Sequence, residues 1–354
     1  MDANDLIDAP EFPLVPLGDL EPKAPVWLIR GILEADTLAM AFGDPGCWKT
    51  FMALDMSLSI GTGIDFHGHK VRQGPVVYLC GEGHNGIARR RQAWEIRHQT
   101  WLKEEDAPVF ISQGPAQLAD SVNAHTVAMA VNRIAHEHGP PLLVVLDTLA
   151  RNFGPGDENS TADMTAFIQA ADMIRSRWHS TVLLVHHTGH GQKDRARGAM
   201  ALKAALDCEL RMEKDGDDLV RMDATKMKDG APPEPMAFKL REVELPLKDE
   251  DGNPVTSAVL DRTDYTPPAQ VSAPQGKWQR LALEGLQAVT DRHRANLEKA
   301  GKDPDTAMVT LDDWRSECSG AGIQRQRWYE AKTKLIEKGL VSVSQGFVWL
   351  SCPE

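Results

Sequence analysis

Thr37-Leu-Ala-Met-Ala-Phe-Gly-Asp-Pro-Gly-Cys-Trp-Lys-Thr50 is the stretch that decides the fold. Its first six residues are an apolar run. Gly43-Asp44-Pro45-Gly46-Cys47-Trp48-Lys49-Thr50 follows, and residues 51–60, opening with Phe51, read as an amphipathic helix. Strand, glycine-containing loop, Lys-Thr and helix is the layout of a phosphate cradle. Loop and helix-start amides wrap phosphate oxygens, the lysine neutralises them, and the threonine hydroxyl holds a magnesium ion. Trp48 stands where such loops usually carry glycine. A surface turn ahead of a helix is the alternative for these residues, so the reading needs support from elsewhere.

Three further apolar runs supply it. Val76-Val-Tyr-Leu-Cys80 ends in Gly81-Glu82-Gly83. Leu142-Leu-Val-Val-Leu146 ends in Asp147-Thr148. Thr181-Val-Leu-Leu-Val185 ends in His186-His187-Thr188-Gly189. Continuous apolar runs suit strands buried on both faces of a parallel sheet, and ligands of such sheets sit at the carboxyl ends of the strands. Lys49, Glu82, Asp147 and His186 are therefore expected to converge.

Each polar tip has a chemical reading and a plainer one. Asp147 suits the water shell of magnesium, or caps a turn. Glu82, between glycines, suits polarisation of an attacking water, or is a solvated turn residue. His186, His187 and His190 suggest a metal site or a γ-phosphate sensor. Neighbours on a strand point to opposite faces, so His186 and His187 do not share a ligand easily. Arg195, Arg197, Arg211, Lys226 and Lys228 are candidates for cations reaching a neighbouring subunit's phosphates, or are solvated basic side chains.

The 354 residues carry a formal charge of −12, with 42% hydrophobic and 25% charged residues. That balance argues against broad wrapping of nucleic acid. Residues 276–354 are near neutral, with 12 Lys/Arg against 11 Asp/Glu, and are the part more compatible with a phosphate backbone. No apolar stretch approaches the ~18–20 residues of a membrane span. Five cysteines without metal-ligand spacing argue against a disulfide framework. A cytoplasmic location without membrane contact is expected.

Strand-helix alternation implies an α/β domain over residues 31–245, after a lead-in at 1–30. Residues 236–240 and 242–245 alternate like edge strands. Residues 246–277 read as a linker. From Trp278 the pattern is helical. Leu281, Leu283, Leu286 and Val289 mark one helix. Residues 311–318 form a second, capped by Thr310 with Asp313 at its third position. Residues 325–338 form a third, stopped by Gly339. Two short strands around Gln345-Gly346 then read as a hairpin. Three helices followed by a hairpin is the order of a winged helix, expected over residues 278–354.

The motifs GDPGCWKTFMALDMSLSIGTG, GPVVYLCGEGHNGIARRRQAW, LLVVLDTLARNFGPGDENSTADM, VLLVHHTGHGQKDRARGAMALKAALDCELRM and ATKMKDG together resemble the RecA-like ATPases of the plasmid replicative helicase RepA type, related to the DnaB and KaiC families. The resemblance covers most of residues 31–245. It implies a RecA-like P-loop core with a mostly parallel sheet, ATP and Mg²⁺ as ligands, and a homo-hexameric ring acting on DNA. By position it implies that residues 43–51 bind nucleotide, that Thr50 and Asp147 hold the ion, and that Glu82 is the catalytic carboxylate. His186 or His187 falls at the sensor, and Arg211, Lys226 and Lys228 fall where residues complete a neighbour's site. Lys228 stands where related members carry arginine, whose planar fork it lacks. The tail resembles the winged helices of related proteins and reads as a DNA-contacting module, with Gln324, Arg325, Arg327 and Trp328 opening its third helix, or as a helical protein-protein module. Three functions remain in play at this level: a DNA-coupled motor, an ATP-switched DNA-binding initiator or regulator, and a filament-forming recombination ATPase.

Overall fold

The computed structural model describes residues 14–22, 24–81, 83–189, 192–196, 200–216, 218–265, 276–344 and 346–350, with backbone alone at 189, 192–196, 200 and 305. The chain divides into two compact units, residues 1–265 and 266–354.

In chain order the first unit runs β1 (Trp27–Ile29), β2 (Leu33–Glu34), β3 (Leu38–Gly43), α1 (Lys49–Thr62), β4 (Val76–Cys80) and α2 (His84–His98). Then come β5 (Val109–Ile111), α3 (Ser121–His138), β6 (Leu143–Asp147), α4 (Leu149–Phe153), α5 (Thr161–Trp178) and β7 (Thr181–Gly189). It closes with β8 (Gln192–Ala196), α6 (Met200–Ala205), β9 (Cys208–Lys214), β10 (Val220–Met227), β11 (Met236–Lys248) and β12 (Pro254–Thr263).

The central sheet is ordered β12-β11-β10-β9-β3-β7-β6-β4-β5. From β5 to β9 every pair is parallel; β9 to β12 pair antiparallel. This is the α/β, mostly parallel architecture expected from the apolar runs. The parallel strands are buried on both faces because helices cover both. Ala39, Ala41, Tyr78, Val145 and Val185 pack with α1 and α2 residues in one core. Met40, Phe42, Leu146 and Leu184 pack with α3 and α5 residues in a second. Strand alternation divides each run between the two layers.

Two readings change. β7 does not stop at Val185 but continues through His186 and His187 to Gly189. The polar residues there are strand residues, because Phe42 and Gly43 of β3 still pair with His186 and His187. The stretch read as a linker, 246–277, holds the end of β11 and all of β12. Residues 236–240 and 242–245 join in one strand whose partner is β12, with a register irregularity between Glu244 and Lys248 around Pro246. Proline lacks a ladder donor, and the irregularity accommodates it. Residues 266–275 lie outside the described residues.

The second unit contains α7 (Lys277–Lys299), β13 (Val309–Thr310), α8 (Leu311–Gly320), α9 (Arg325–Glu337), β14 (Val341–Ser344) and β15 (Phe347–Leu350). Thr310 and Asp313 form the reciprocal cap at the start of α8. β13, which the sequence pattern does not announce, joins the hairpin to make a sheet ordered β13-β15-β14. The core is built on Trp314, whose indole N–H donates to the Ala282 carbonyl at 2.6 Å. Trp328 packs edge-on against it, ring centroids 5.6 Å apart. Trp328 is thus a core residue and not a surface reader, because its position on α9 faces α8.

Candidate phosphate-binding site

Gly43 ends β3 where the neighbouring strand comes closest. A Cβ there would stand 2.0 Å from the Met212 carbonyl oxygen of β9. Only glycine lets the loop leave the sheet at this point. The loop then turns with Gly46 at φ +80° and Trp48 at φ 55°, ψ 25°. Trp48 is left-handed, a conformation that costs a β-carbon-bearing residue about 1–2 kcal/mol. Its partly buried ring packs against the core under α1. It supplies no side-chain cap to the helix. The first amides of α1 therefore retain the orientation and partial positive charge that suit an anion.

Lys49 opens α1 and is 5% exposed. Its ammonium donates to the carbonyls of Gly43 and Asp44, each at 2.8 Å, and so fastens helix to loop. Burial lowers its pKa, opposed by negative charge that includes Asp147 and Asp44. Thr188 of β7 donates its hydroxyl to the Asp44 carboxylate, which holds the loop from the other side.

Asp147 lies at the tip of β6, 5% exposed. The Thr50 hydroxyl hydrogen-bonds its carboxylate. The Tyr78 phenol of β4 donates to Oδ2 at 2.6 Å. Burial pushes the Asp147 pKa up. The bonds from Tyr78 and Thr50 and the charges of Arg90 and Lys49 pull against it. Burial, with the Asp147 charge beside it, drives the Tyr78 pKa well above the ordinary phenol value. The Gly81 amide donates to the Asp147 carbonyl at 2.7 Å, tying the tip of β4 to that of β6. Arg90 of α2 lies 4.3 Å over the Phe51 ring.

The structure therefore brings together Lys49, Thr50, Asp147 and the loop 43–48. Glu82 lies outside the described residues, as do His190 and Arg197 and the side chain of Arg195. His186 and His187 separate as strand geometry demands. His186 is 1% exposed and shares strand parity with Val182 and Leu184 of the α3–α5 layer. His187 shares parity with Leu183 and Val185, the layer of α1, and pairs in register with Gly43. Of the two, His187 is on the Asp147 face.

The three expected trans-acting cations do not behave alike. Arg211 pairs with Asp223 at 3.2 Å and Glu213 at 3.5 Å of its own chain. It lines a cleft with Asp44, Pro45 and Cys47, beside its own loop. Lys226 donates to the Lys203 carbonyl at 2.9 Å, and Lys228 to Asp207 at 3.2 Å. The other Asp207 oxygen accepts from the Leu38 amide, at the start of β3. Lys226 and Lys228 thus lie at the opposite end of the strand that carries the loop.

Sequence reasoning missed Tyr78, Arg90 and Thr188. Tyr78 sits in mid-strand among apolar residues, where an aromatic reads as core. Only the β4–β6 pairing, which sets it opposite Val145 and so two residues from Asp147 on the same face, makes it part of the site. Among the described residues no group of three or more His, Cys, Asp or Glu side chains is placed to hold a metal by itself. None of their helices is long and apolar enough to cross a membrane.

No curated protein matches the chain. The crystal structure of the RadB recombinase is similar at 16% identity and a TM-score of 0.43, covering 58% of this chain and 88% of that one. The AAA_25 model, an AAA domain, matches residues 10–193, just over half of the chain. That span runs from before β1 to the start of β8 and contains the loop, Tyr78, Asp147 and His187. The chain belongs to the AAA_25 family of AAA domains, and its larger unit is a nucleotide-binding ATPase domain.

Proposed function

We propose that this protein binds and hydrolyses Mg-ATP and couples the cycle to DNA, as a helicase-like motor of plasmid or phage replication assembled as a homo-hexameric ring. The observation that carries the reading is the constellation of Lys49 and Thr50 at the head of α1 against a buried Asp147 held by Tyr78. Residues 43–51 receive the phosphates, and Lys49 exchanges loop carbonyls for phosphate oxygens. A magnesium ion fits the donors present, a hydroxyl and a buried carboxylate already in contact, both hard oxygen ligands. When bound it supplies charge neutralisation on the phosphate oxygens. Tyr78 fixes the Asp147 carboxylate. Glu82 orients the attacking water, and His187 reports the terminal phosphate to the sheet. Lys226 and Lys228, distant from their own loop, serve the neighbour's site; Arg211 serves its own.

The second unit is proposed as a winged helix. Arg325 and Lys332 of α9 lie 6.0 and 5.2 Å over the ring of Tyr329, which is 41% exposed. A basic surface with an exposed aromatic suits nucleic acid. That surface and the constrained Trp48 favour a second reading, an ATP-switched DNA-binding initiator or regulator with weak hydrolysis.

Steady-state ATPase with and without single-stranded DNA, wild type beside Lys49→Ala, tests the proposal. Stimulation by DNA that is lost in the variant supports the motor. ATP binding with little turnover and no stimulation transfers support to the switch. No ATP binding by the wild type refutes both.

A further inference from the structure

Asp55 is a buried acid that the nucleotide chemistry leaves unused. It lies in mid-α1, 6% exposed, on a stretch where Met52, Leu54, Met56 and Leu58 are buried as well. Trp94 of α2, 3% exposed, donates its indole N–H to Asp55 Oδ1 at 2.8 Å. His67, in the segment after α1, bonds Oδ2 through Nε2 at 2.8 Å. The rings of Phe66 and Phe238 meet the His67 ring edge-on, with centroids 4.7 and 4.9 Å away. Both carboxylate oxygens are thus engaged, each by a different element.

A leucine at position 55 would fill this face without the desolvation that an acid incurs, so the acid is a poor means of merely holding two helices together. What it adds is direction. Apolar contacts are non-directional and let one helix slide against another, whereas a hydrogen bond confines donor and acceptor to a narrow range of distance and angle.

The register so fixed reaches the site. Side chains four apart on a helix stand one above the other, so Phe51 and Asp55 share a face of α1, and Arg90 and Trp94 a face of α2. Trp94 meets Asp55; one turn earlier on both helices, the Arg90 guanidinium lies 4.3 Å over the Phe51 ring. Phe51 follows Thr50, whose hydroxyl bonds Asp147. The Arg90 charge acts on both Asp147 and Tyr78. Among the described residues no carboxylate hydrogen-bonds Arg90, which leaves its N–H groups for an anion at the site. A guanidinium so placed stabilises charge that builds on a phosphoryl group, provided that it is held in place beforehand.

We infer that Asp55 is a positioning residue of the ATPase site: by accepting from Trp94 it sets the register of α2 against α1 and so holds Arg90 beside Thr50 and Asp147. This role presupposes ATP hydrolysis at Lys49 and Asp147, and Asp55 itself lies outside the residues that meet the nucleotide.

Full-length wild type, Trp94→Phe, Asp55→Asn, Arg90→Gln and the Trp94→Phe/Arg90→Gln double variant are compared in steady-state ATPase. Trp94→Phe keeps an aromatic ring and loses the donor. It is expected to lower kcat about tenfold to a hundredfold, with KM within about twofold of wild type and far-UV dichroism unchanged. Asp55→Asn keeps an acceptor for the indole and is expected to retain kcat within about threefold. Arg90→Gln is expected to match Trp94→Phe, and the double variant to fall no more than about twofold below Arg90→Gln, because both substitutions act through one group. Wild-type turnover in Trp94→Phe overturns the inference. So do effects of the two substitutions that multiply, since a general loss of packing would add to the loss of Arg90. Amide hydrogen exchange over residues 84–93, without nucleotide, needs no hydrolysis. It is expected to quicken about tenfold in Trp94→Phe and to stay near wild type in Asp55→Asn. Unchanged exchange in Trp94→Phe overturns the inference. Absence of turnover in the wild type refutes the ATPase reading instead, and the exchange result then decides the register by itself.

Discussion

Tyr78→Phe isolates the least expected contact of the site. The phenol is 1% exposed and donates to Asp147 Oδ2 at 2.6 Å, and Asp147 is itself 5% exposed. Phenylalanine fills the same volume, so no cavity term enters. What disappears is a hydrogen bond to a buried carboxylate, worth about 1.5–3 kcal/mol when the acid is ionised. The urea transition of the larger unit is expected to move to lower midpoint by that amount at unchanged slope. The effect has a pH signature. Burial raises the Asp147 pKa in the folded chain above its value of 3.8, despite Tyr78 and Thr50. A carboxyl with a raised folded pKa contributes stability that is present below the unfolded value and lost as pH rises through the folded one. Removing the phenol raises the folded pKa further. The variant's deficit is therefore largest where Asp147 is ionised. It shrinks toward the roughly 0.5–1.5 kcal/mol of a neutral hydrogen bond as the acid takes up its proton. Urea titrations of both proteins from about pH 8 to about pH 4 measure this. A deficit that is flat across that range, or under about 0.5 kcal/mol at the alkaline end, refutes the account of the Asp147 environment.

Other perturbations test separate parts of the structure. Trp48→Ala keeps a β-carbon in the left-handed conformation while losing the ring, so it should be less stable than Trp48→Gly by about 1 kcal/mol in chemical denaturation; equal stabilities would show that the φ of 55° imposes no cost. Gly43→Ala places a methyl 2.0 Å from the Met212 carbonyl and should cost at least ~1–3 kcal/mol or prevent folding, whereas a wild-type melting curve would contradict the close approach of β3 and β9. Thr310→Ala removes the reciprocal cap of α8 and should lower the stability of the smaller unit by about 1 kcal/mol, read from its own thermal transition, with the larger unit unaffected.

The phosphate loop and the parallel strands were legible because their signals are local. A buried parallel strand must be apolar without interruption, and residues 76–80, 143–146 and 182–185 obey that rule. The loop declares itself by glycine, lysine and threonine at fixed spacing beside such a run. Thr310, Asp313 and Gly339 mark helix ends through short-range hydrogen bonds and backbone preference, so the helices of the second unit were legible too. β5 was not: Val109–Ile111 is three residues long and owes its strand character to pairing with β4. β12 was hidden by Pro254 and mixed polar residues, and exists because β11 offers it nine paired positions along its ten residues.

Sequence by itself thus determined the α/β alternation, the phosphate-loop chemistry and the identity of Asp147 as a strand-tip acid. Tertiary structure alone decided which groups face that acid. Tyr78 becomes its donor because β4 lies beside β6, a pairing between residues 69 apart. His187 and not His186 takes the face of α1 because β7 stays in register with β3 beyond its apolar run. Lys226 and Lys228 end far from the loop because β10 runs antiparallel to β9 and carries them to the start of β3. In each case the deciding quantity is strand order and direction. These are set by long-range burial of the two cores, and no local pattern encodes them.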